Sequence, residues 1–294
     1  MDNIILKVSL LLLKAVAGLP LGALYALSDF MYLVVRYVIR YRRKIIRLNL
    51  YNAFPERGCR ERRRIEAGYY RHLCDCIVED VKLLHVSDSE MARRVKVNGA
   101  ELVDDAVREG HSVIIFLGHY GNWEWVQEIC RHYSLPDISA EIYRPAKNKV
   151  FNEILRRVRS RYPTVQIPQK KAVRQLLRYN SEGAHFVVGF ISDQRPNSRN
   201  LNHWTDFLCQ DTPYAAGGED IGNHVGAIYL YLDIEKPLRG HYVFTFKPVT
   251  PCDDGGQYPY TRAFLRMLEA TIRRDPRYWL WSHNRWKYKR KKQQ

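Results

Sequence analysis

The sequence lacks the signatures of several common protein classes. Its six cysteines are scattered, and the one close pair, Cys74 and Cys76, has no second pair at zinc-ribbon spacing. We therefore expect free thiols in a reducing compartment. No Gly-x-Ser-x-Gly motif occurs, so a serine-hydrolase route through an acyl-enzyme has no support. No internal repeat or low-complexity segment precedes the basic C-terminal residues.

Acidic residues are also scarce, with 31 Asp and Glu against 47 Lys and Arg, which gives a net charge of +16. Such a charge attracts nucleic acid, anionic lipid surfaces or acidic carrier proteins. No recognisable nucleic-acid module accompanies the charge, so a non-enzymatic basic binder of nucleic acid or membrane is a minor alternative. The 294 residues, 46% of them hydrophobic, are enough for one large globular domain with an N-terminal appendage.

The N-terminus carries the longest apolar stretch. Residues 8–27 are interrupted by one charge, Lys14, and about 20 residues suffice to cross a bilayer. A signal peptide is a competing interpretation, but no clean cleavage site follows. Gly18, Pro20 and Gly22 also permit a bent helix that lies in the membrane interface. We expect membrane association, and we favour a span over a surface helix only modestly.

A cationic block follows the apolar stretch. Between Arg36 and Arg71 there are twelve Lys or Arg against three Glu, a bias that keeps a segment cytoplasmic and attracts anionic headgroups. Part of the block also fits an amphipathic helix with one solvated face. We expect an anchor with its basic flank at 1–40, a catalytic domain at 41–287 and a basic tail at 288–294.

Downstream, short apolar runs alternate with amphipathic ones. Runs at 112–117, 138–143 and 185–192 are separated by helical patterns, which is typical of an α/β fold. Two adjacent runs at 227–235 and 242–249 predict an antiparallel hairpin. We therefore expect a mixed, mostly parallel sheet flanked by helices.

A candidate site follows the first of these strands, in the segment GHYGNWEW (118–125). His119 stands where a strand ends, which is where reacting groups collect in α/β domains. Gly121 and Asn122 predict a sharp turn into a helix whose free amides face a developing oxyanion. Glu124 is expected to accept the Nδ1–H of His119 and leave Nε2 as a general base. The alternative is a helix cap without chemistry.

Four segments together resemble one family. GHYGNWEW, YRP (143–145), SDQRP (192–196) and YWLWSHNRWK (278–287) are similar, in order and spacing, to the motifs of the late (secondary) acyltransferases of lipid A biosynthesis. That family belongs to the wider group of glycerolipid acyltransferases with an H-x4-D/E motif. The resemblance covers residues 5 to 287.

The resemblance implies an inner-membrane enzyme, with its catalytic domain on the cytoplasmic face of a bacterial cell. It would move a fatty acyl chain from acyl carrier protein, or from acyl-CoA, to a hydroxyl of a lipid A precursor, without cofactor or metal. Acylation of a lysophospholipid or an aminolipid is the alternative. His119 resembles the base and Glu124 its partner, and the remaining matched positions are substrate-binding: Gly121, Asn122, Arg144, Asp193 and Gln194.

Three points stay open at this stage. Asp193 has a direct catalytic role or forms a salt bridge to Arg144 or Arg195. In the C-terminal motif, packing of Trp279 and Trp281 in the core with solvated cations is favoured slightly over contact with a headgroup or carrier. Cys209 stands where the family commonly has glycine, which leaves acceptor and chain-length selectivity undetermined.

Overall fold

A computed structural model of the chain describes residues 2–290. The predicted basic tail therefore lies largely outside the described residues. Ten α-helices run through that range: α1 Asp2–Ala17, α2 Leu21–Leu33, α3 Arg43–Ala53, α4 Cys59–Lys82, α5 Asp88–Arg94, α6 Glu101–Arg108, α7 Lys149–Arg159, α8 Ala172–Ser181, α9 Gly217–Val225 and α10 Pro259–Arg274. A π-helix, Val34–Ile39, continues α2, and short 3-10 helices lie at Trp125–Arg131, Gln169–Lys171 and Pro276–Tyr278.

A seven-stranded sheet forms the centre of the fold. Its strands are arranged in the order β1-β9-β8-β2-β5-β3-β4. The strands are β1 Val95–Asn98, β2 Val113–Leu117, β3 Ile138–Tyr143, β4 Val165–Pro168, β5 Phe186–Ile191, β8 Ile228–Leu238 and β9 His241–Pro248. A separate antiparallel pair consists of β6 Trp204–Phe207 and β7 Gln210–Pro213.

Within the large sheet, β8 and β9 form an antiparallel hairpin and the other neighbouring strands pair in parallel. The predicted mixed, mostly parallel sheet is confirmed. The central strand β2 reads VIIFL and is buried along its whole length. A continuous apolar run is what a parallel strand needs when helices cover both faces of the sheet.

The C-terminal tryptophans pack inside the domain, as the sequence favoured. The rings of Trp279 and Trp281 meet edge to face with centroids 4.7 Å apart, and Trp286 packs 6.0 Å from Trp279. The accompanying prediction of solvated cations holds for Lys287, which is exposed, and is wrong for Arg285, which is buried. The guanidinium of Arg285 lies in the core together with the tryptophans near it in sequence, Trp281 and Trp286.

The N-terminal apolar stretch is not one helix over residues 8–27. It is broken at residues 18–20, between α1 and α2, because Pro20 occupies the N-cap of α2 and lacks the N–H that a continuous helix needs. One stretch, Leu21–Ile39, is long and apolar enough to cross a membrane. It begins thirteen residues later than the predicted segment, and α2 packs against α4.

Candidate active site

Three parallel strands deliver the predicted site residues to one edge of the sheet. Strand β5 lies between β2 and β3, and Leu117 pairs with Ile191 at the ends of β2 and β5. His119 follows β2, Asp193 and Gln194 follow β5, and Arg144 follows β3. The carboxyl ends of neighbouring parallel strands are where α/β domains collect reacting groups.

His119 is bonded to Asp193. The Nδ1 atom of His119 lies 2.6 Å from Oδ1 of Asp193, and the backbone N–H of His119 donates to Oδ2 at 2.9 Å. The indole Nε1–H of Trp279 donates to the same Oδ2 at 2.7 Å. Asp193 is therefore a buried carboxylate with three donors, and it holds both the backbone and the ring of His119.

Asp193 remains a carboxylate despite its burial. Burial by itself raises the pKa of this group, but the charge of His119 and the donors of His119 and Trp279 outweigh it, so the pKa lies below its usual value. An ionised acceptor at Oδ1 favours the His119 tautomer with its proton on Nδ1. The lone pair is then on Nε2.

The Nε2 atom of His119 faces the open side of the site. The amide Nε2 of Gln194 lies 3.1 Å from it and donates to the lone pair. The ring of Trp123 meets the His119 ring edge to face, with centroids 5.2 Å apart. The His119 side chain keeps 17% of its surface exposed, and the Gln194 amide is the group that a substrate hydroxyl would have to displace at Nε2.

The predicted hydrogen bond between His119 and Glu124 is wrong in this structure. Asp193 occupies Nδ1, and Glu124 instead accepts two hydrogen bonds from Arg159 at the end of α7, at 2.8 and 2.7 Å. Glu124 is only 8% exposed, and a carboxylate at that depth needs a cation as its partner. Arg159 is that cation. It lies 35 residues from Glu124, so the sequence did not indicate the pair.

The predicted oxyanion donors are also engaged elsewhere. The N–H of Gly121 donates to the carbonyl of Tyr278 at 3.0 Å. The N–H groups of Glu124 and Trp125 both donate to Oδ1 of Asn122 at 3.1 Å. The prediction that amides near residues 121–124 face an oxyanion is therefore wrong for Gly121 and Glu124, whose amides hold the turn together. It stays a prediction for the amides of Asn122 and Trp123.

Gly121 and Asn122 shape this turn from within. Gly121 has φ +61°, and a Cβ built on it would lie 2.7 Å from Cγ2 of Ile234. Asn122 is 1% exposed and its Nδ2 donates to Glu79 at 2.9 Å. Direct substrate contact, predicted for both residues, does not fit these buried positions.

Arg144 is exposed, and it makes no hydrogen bond or ion pair with the residues that the structure describes. It lies two strands from β2, about 10 Å away at the usual strand spacing. Asp193 forms its ion pair with His119, so a salt bridge from Asp193 to Arg144 or Arg195, considered from the sequence, is not seen among residues 2–290. Arg144 remains available to an anionic substrate.

The family model of the bacterial lipid A biosynthesis acyltransferases matches residues 3–288. The chain belongs to that family. It is 24% identical over 279 residues to a lipid A biosynthesis palmitoleoyltransferase of Escherichia coli (strain K12), covering 92% of this chain and 86% of that protein. A lipid A biosynthesis acyltransferase of Shigella flexneri matches with the same identity and coverage. The protein is an acyltransferase of lipid A biosynthesis.

Sequence reasoning missed two contributors to the acyltransferase site. Trp279 reaches Asp193 because the C-terminal segment runs beside the His119 turn, where the N–H of Leu280 donates to the carbonyl of His119 at 3.0 Å. Arg159 lies 35 residues from Glu124 on an amphipathic helix, where an arginine gives no distinctive signal. The tryptophan-rich motif was visible in the sequence, but not its contact with Asp193.

Arg285 is a third residue whose burial was not predicted from the sequence. It is fully buried, and its three guanidinium nitrogens have no hydrogen-bond partner within the described part of the chain. Burial lowers its pKa to about 10, with the charge of Asp193 acting in the opposite direction. The acyltransferase therefore keeps a permanent positive charge in the interior on the Asp193 side of the site.

Cys209, the departure from the family pattern, lies in the tight turn between β6 and β7. Leu208 and Cys209 have φ +51° and +59°, which is a left-handed conformation at both positions. Glycine adopts this conformation without steric cost, so the preference for glycine at such a position is conformational. The cysteine here changes the strain of a turn and adds no catalytic group.

Proposed function

We propose that this acyltransferase moves a fatty acyl chain from an acyl carrier protein thioester to a hydroxyl of a lipid A precursor at the cytoplasmic face of the bacterial inner membrane. Acyl-CoA is the alternative donor with the same thioester chemistry. The observation that carries the proposal is the His119 ring, held at Nδ1 by a buried carboxylate and accessible at Nε2. That arrangement suits a general base acting on an alcohol.

In the proposed reaction the acceptor hydroxyl replaces the Gln194 amide at Nε2 of His119. Nε2 takes the hydroxyl proton as the oxygen attacks the thioester carbon, and Asp193 stabilises the imidazolium that forms. The tetrahedral intermediate collapses by breaking the carbon–sulfur bond. The imidazolium returns its proton to the thiolate, so an ester and a free thiol leave and the enzyme is unchanged.

The remaining matched residues have separate tasks in this proposal. Arg144 binds a phosphate of the acceptor, because a planar cation that has no partner within residues 2–290 suits a phosphate oxygen pair. Glu124 acts through Arg159, fixing the segment that carries Trp123 beside His119. Gly121 and Asn122 give that segment its shape.

The choice of carrier protein as donor is based on charge. The chain carries a net charge of +16, and an acidic carrier is drawn to such a surface at long range. This attraction weakens with salt, since the Debye length falls to about 8 Å at physiological ionic strength. The carrier is supported as donor if the transfer rate with carrier thioester falls as the salt concentration rises while the rate with acyl-CoA stays constant.

The test of the proposal is transfer by purified protein from a carrier thioester to a lipid A precursor. His119→Ala is expected to lower kcat by about 10² to 10⁴, the usual contribution of a general base. His85→Ala, at an exposed histidine, is the matched control and should keep full activity. Undiminished transfer by His119→Ala contradicts the mechanism.

The acceptor is tested separately in cells. Mass spectrometry of total lipids from a strain without the protein should show lipid A species that lack one acyl chain. Loss of an acyl chain from a phospholipid or an aminolipid, with lipid A intact, contradicts the proposed acceptor. Restoration by the wild-type protein but not by His119→Ala links the lipid to this site.

A further inference from the structure

Helix α2 is fastened along its length to α4 of the catalytic domain. Leu21 packs with Val78 near one end. In the middle, the hydroxyl of Ser28 donates to Asp75 at 2.7 Å. Near the other end, the guanidinium of Arg71 lies 5.0 Å from the ring centroid of Tyr32. The two helices therefore run antiparallel, with the catalytic domain beside the whole of α2.

Polar contacts dominate the middle of this interface. The hydroxyl of Tyr25 donates to Glu79 at 3.0 Å. Arg239, in the β8–β9 turn, bridges Asp29 of α2 at 2.9 Å and Asp75 of α4 at 2.6 Å. Asp75 and Glu79 are 5% and 0% exposed, so the bonds to these two carboxylates are sheltered from water, whereas the pair of Arg239 with Asp29 lies at the surface. Separating α2 from α4 would remove the Ser28 and Tyr25 hydroxyls from two buried carboxylates, Asp75 and Glu79.

The start of α2 is held as well. The ammonium of Lys82, at the end of α4, donates to the carbonyls of Ala17 and Leu19 at 3.1 and 3.0 Å. These two carbonyls belong to the break between α1 and α2. One buried cation thus fixes the angle between the two N-terminal helices and ties it to the catalytic domain.

The opposite faces of α1 and α2 are apolar and exposed. On α1 they include Ile4, Val8 and Leu11, at 69%, 51% and 70% exposure. On α2 they include Phe30 and Leu33, at 63% and 52%. The spacing of three to four residues puts each set on one side of its helix, away from the buried side that contains Leu21, Leu24, Ser28 and Tyr32.

Length alone permits a transmembrane helix, but packing opposes it. The 19 residues Leu21–Ile39 measure about 29 Å, close to the ~30 Å of a hydrocarbon core. With α2 upright in the bilayer, its partners at the same height enter as well, among them Asp75, Glu79 and Arg239. An insertion scale gives each charged residue at the bilayer centre a cost of about 2.5–3.5 kcal/mol.

We propose that α1 and α2 lie in the plane of one leaflet and attach the catalytic domain to the surface of an anionic phospholipid bilayer without crossing it. Their apolar faces enter the headgroup and upper acyl region. Four cations that follow α2 in the sequence are exposed or half-buried and would meet anionic headgroups: Arg36, Arg40, Arg42 and Lys44. The inference deepens the proposed function, since it assigns how the enzyme meets its lipid substrate.

The experiment measures the depth of single spin labels in vesicles of phosphatidylglycerol and phosphatidylethanolamine. Cysteines are placed at Leu11, Phe30 and Val38 of the full chain, with the exposed Cys59 and Cys209 replaced by serine. Helices in the leaflet plane give three similar, shallow depths. A graded series with Phe30 near the bilayer centre overturns the proposal.

Vesicle binding supplies a second measurement with a matched control. Phe30→Asp is expected to weaken binding to these vesicles at least tenfold, while Val173→Asp, at an apolar residue on α8 that is 54% exposed, leaves it unchanged. Equal effects of both variants overturn the proposal. Burial of the same face in a stable dimer without lipid also overturns it.

The outcome does not depend on the catalytic proposal. A His119→Ala protein is expected to give the same three label depths as the wild type, because the side chain of His119 bonds to Asp193 and Gln194 and, within residues 2–290, forms no hydrogen bond with α1 or α2. Loss of transfer activity with unchanged depths confirms the base and leaves the attachment intact. Unchanged activity with shallow depths contradicts the base and supports the attachment.

Discussion

Replacing Asp193 by asparagine keeps the size of the side chain and removes its charge. In the wild type Oδ2 accepts from the backbone N–H of His119 and from the indole of Trp279. These two donors hold the amide oxygen of asparagine in the same place. The amide nitrogen then faces Nδ1 of His119, and Nδ1 must accept a hydrogen bond. The ring proton moves to Nε2, the atom that should receive the proton of the acceptor hydroxyl.

The expected loss of activity is large compared with the loss of stability. A base held in the wrong tautomer by this kind of substitution loses about 10⁴ in kcat, which is about 5.4 kcal/mol. The weaker hydrogen bonds to a neutral partner lower the free energy of unfolding by about 2 kcal/mol. The Asp193→Asn protein should therefore remain folded at 25 °C while it loses nearly all transfer.

Initial rates with carrier thioester and a lipid A precursor measure this effect, with circular dichroism to show that the variant is folded. We expect kcat to fall by about 10⁴ and KM to change by only a few-fold, since Asp193 is 2% exposed and does not meet substrate directly. Retention of more than a tenth of kcat refutes the assignment of Asp193 as the partner of His119.

Three further substitutions test other parts of the structure. Gly121→Ala should lower the free energy of unfolding by about 2 kcal/mol, because the added Cβ meets Ile234 in a left-handed turn. Gly183→Ala has open space around the added Cβ and should lower it less, and urea midpoints compare the two variants. Glu124→Gln should lower the free energy of unfolding by about 2 kcal/mol, since Glu124 bonds to Arg159, and should reduce kcat far less than Asp193→Asn does. An equal reduction of kcat would support the pairing of His119 with Glu124 that the sequence predicts. Burial raises the pKa of Glu141 from 4.5 to about 7, so its contribution to stability is full below pH 4.5 and lost as the pH rises through 7. The free energy of unfolding of Glu141→Gln should therefore exceed that of the wild type by up to about 3 kcal/mol at pH 8, and should not exceed it at pH 4. Equal urea midpoints at pH 8 would contradict this.

The fold was predictable because its signals are local. The apolar runs at 112–117, 138–143 and 185–192 coincide with β2, β3 and β5, and the hairpin of β8 and β9 lies where two adjacent runs predicted it. Strand order and the break between α1 and α2 were not predictable from hydropathy. Hydropathy shows that a segment is apolar, but Pro20 and the contacts with α4 decide where the helix ends.

The site was predictable in its position and not in its pairing. The carboxyl ends of β2 and β5 bring His119 and Asp193 together because these strands are parallel neighbours. The sequence favours Glu124 as the partner of His119 because it lies five residues later, at the start of a predicted helix. Proximity in sequence does not fix the direction of a side chain after a left-handed glycine, and Arg159 gave Glu124 another partner.

One buried carboxylate connects helix α2 to the turn that carries His119. Glu79 accepts from Tyr25 of α2 through one oxygen, and from Asn122 and Tyr242 through the other, at 2.9 and 2.7 Å. Asn122 in turn receives the amides that shape the segment after His119. In the proposed attachment, a lipid acceptor in the bilayer has the height of its hydroxyl set relative to α2. Because Glu79 sets the catalytic turn relative to the same helix, hydroxyl and base reach a common height through one short path of hydrogen bonds.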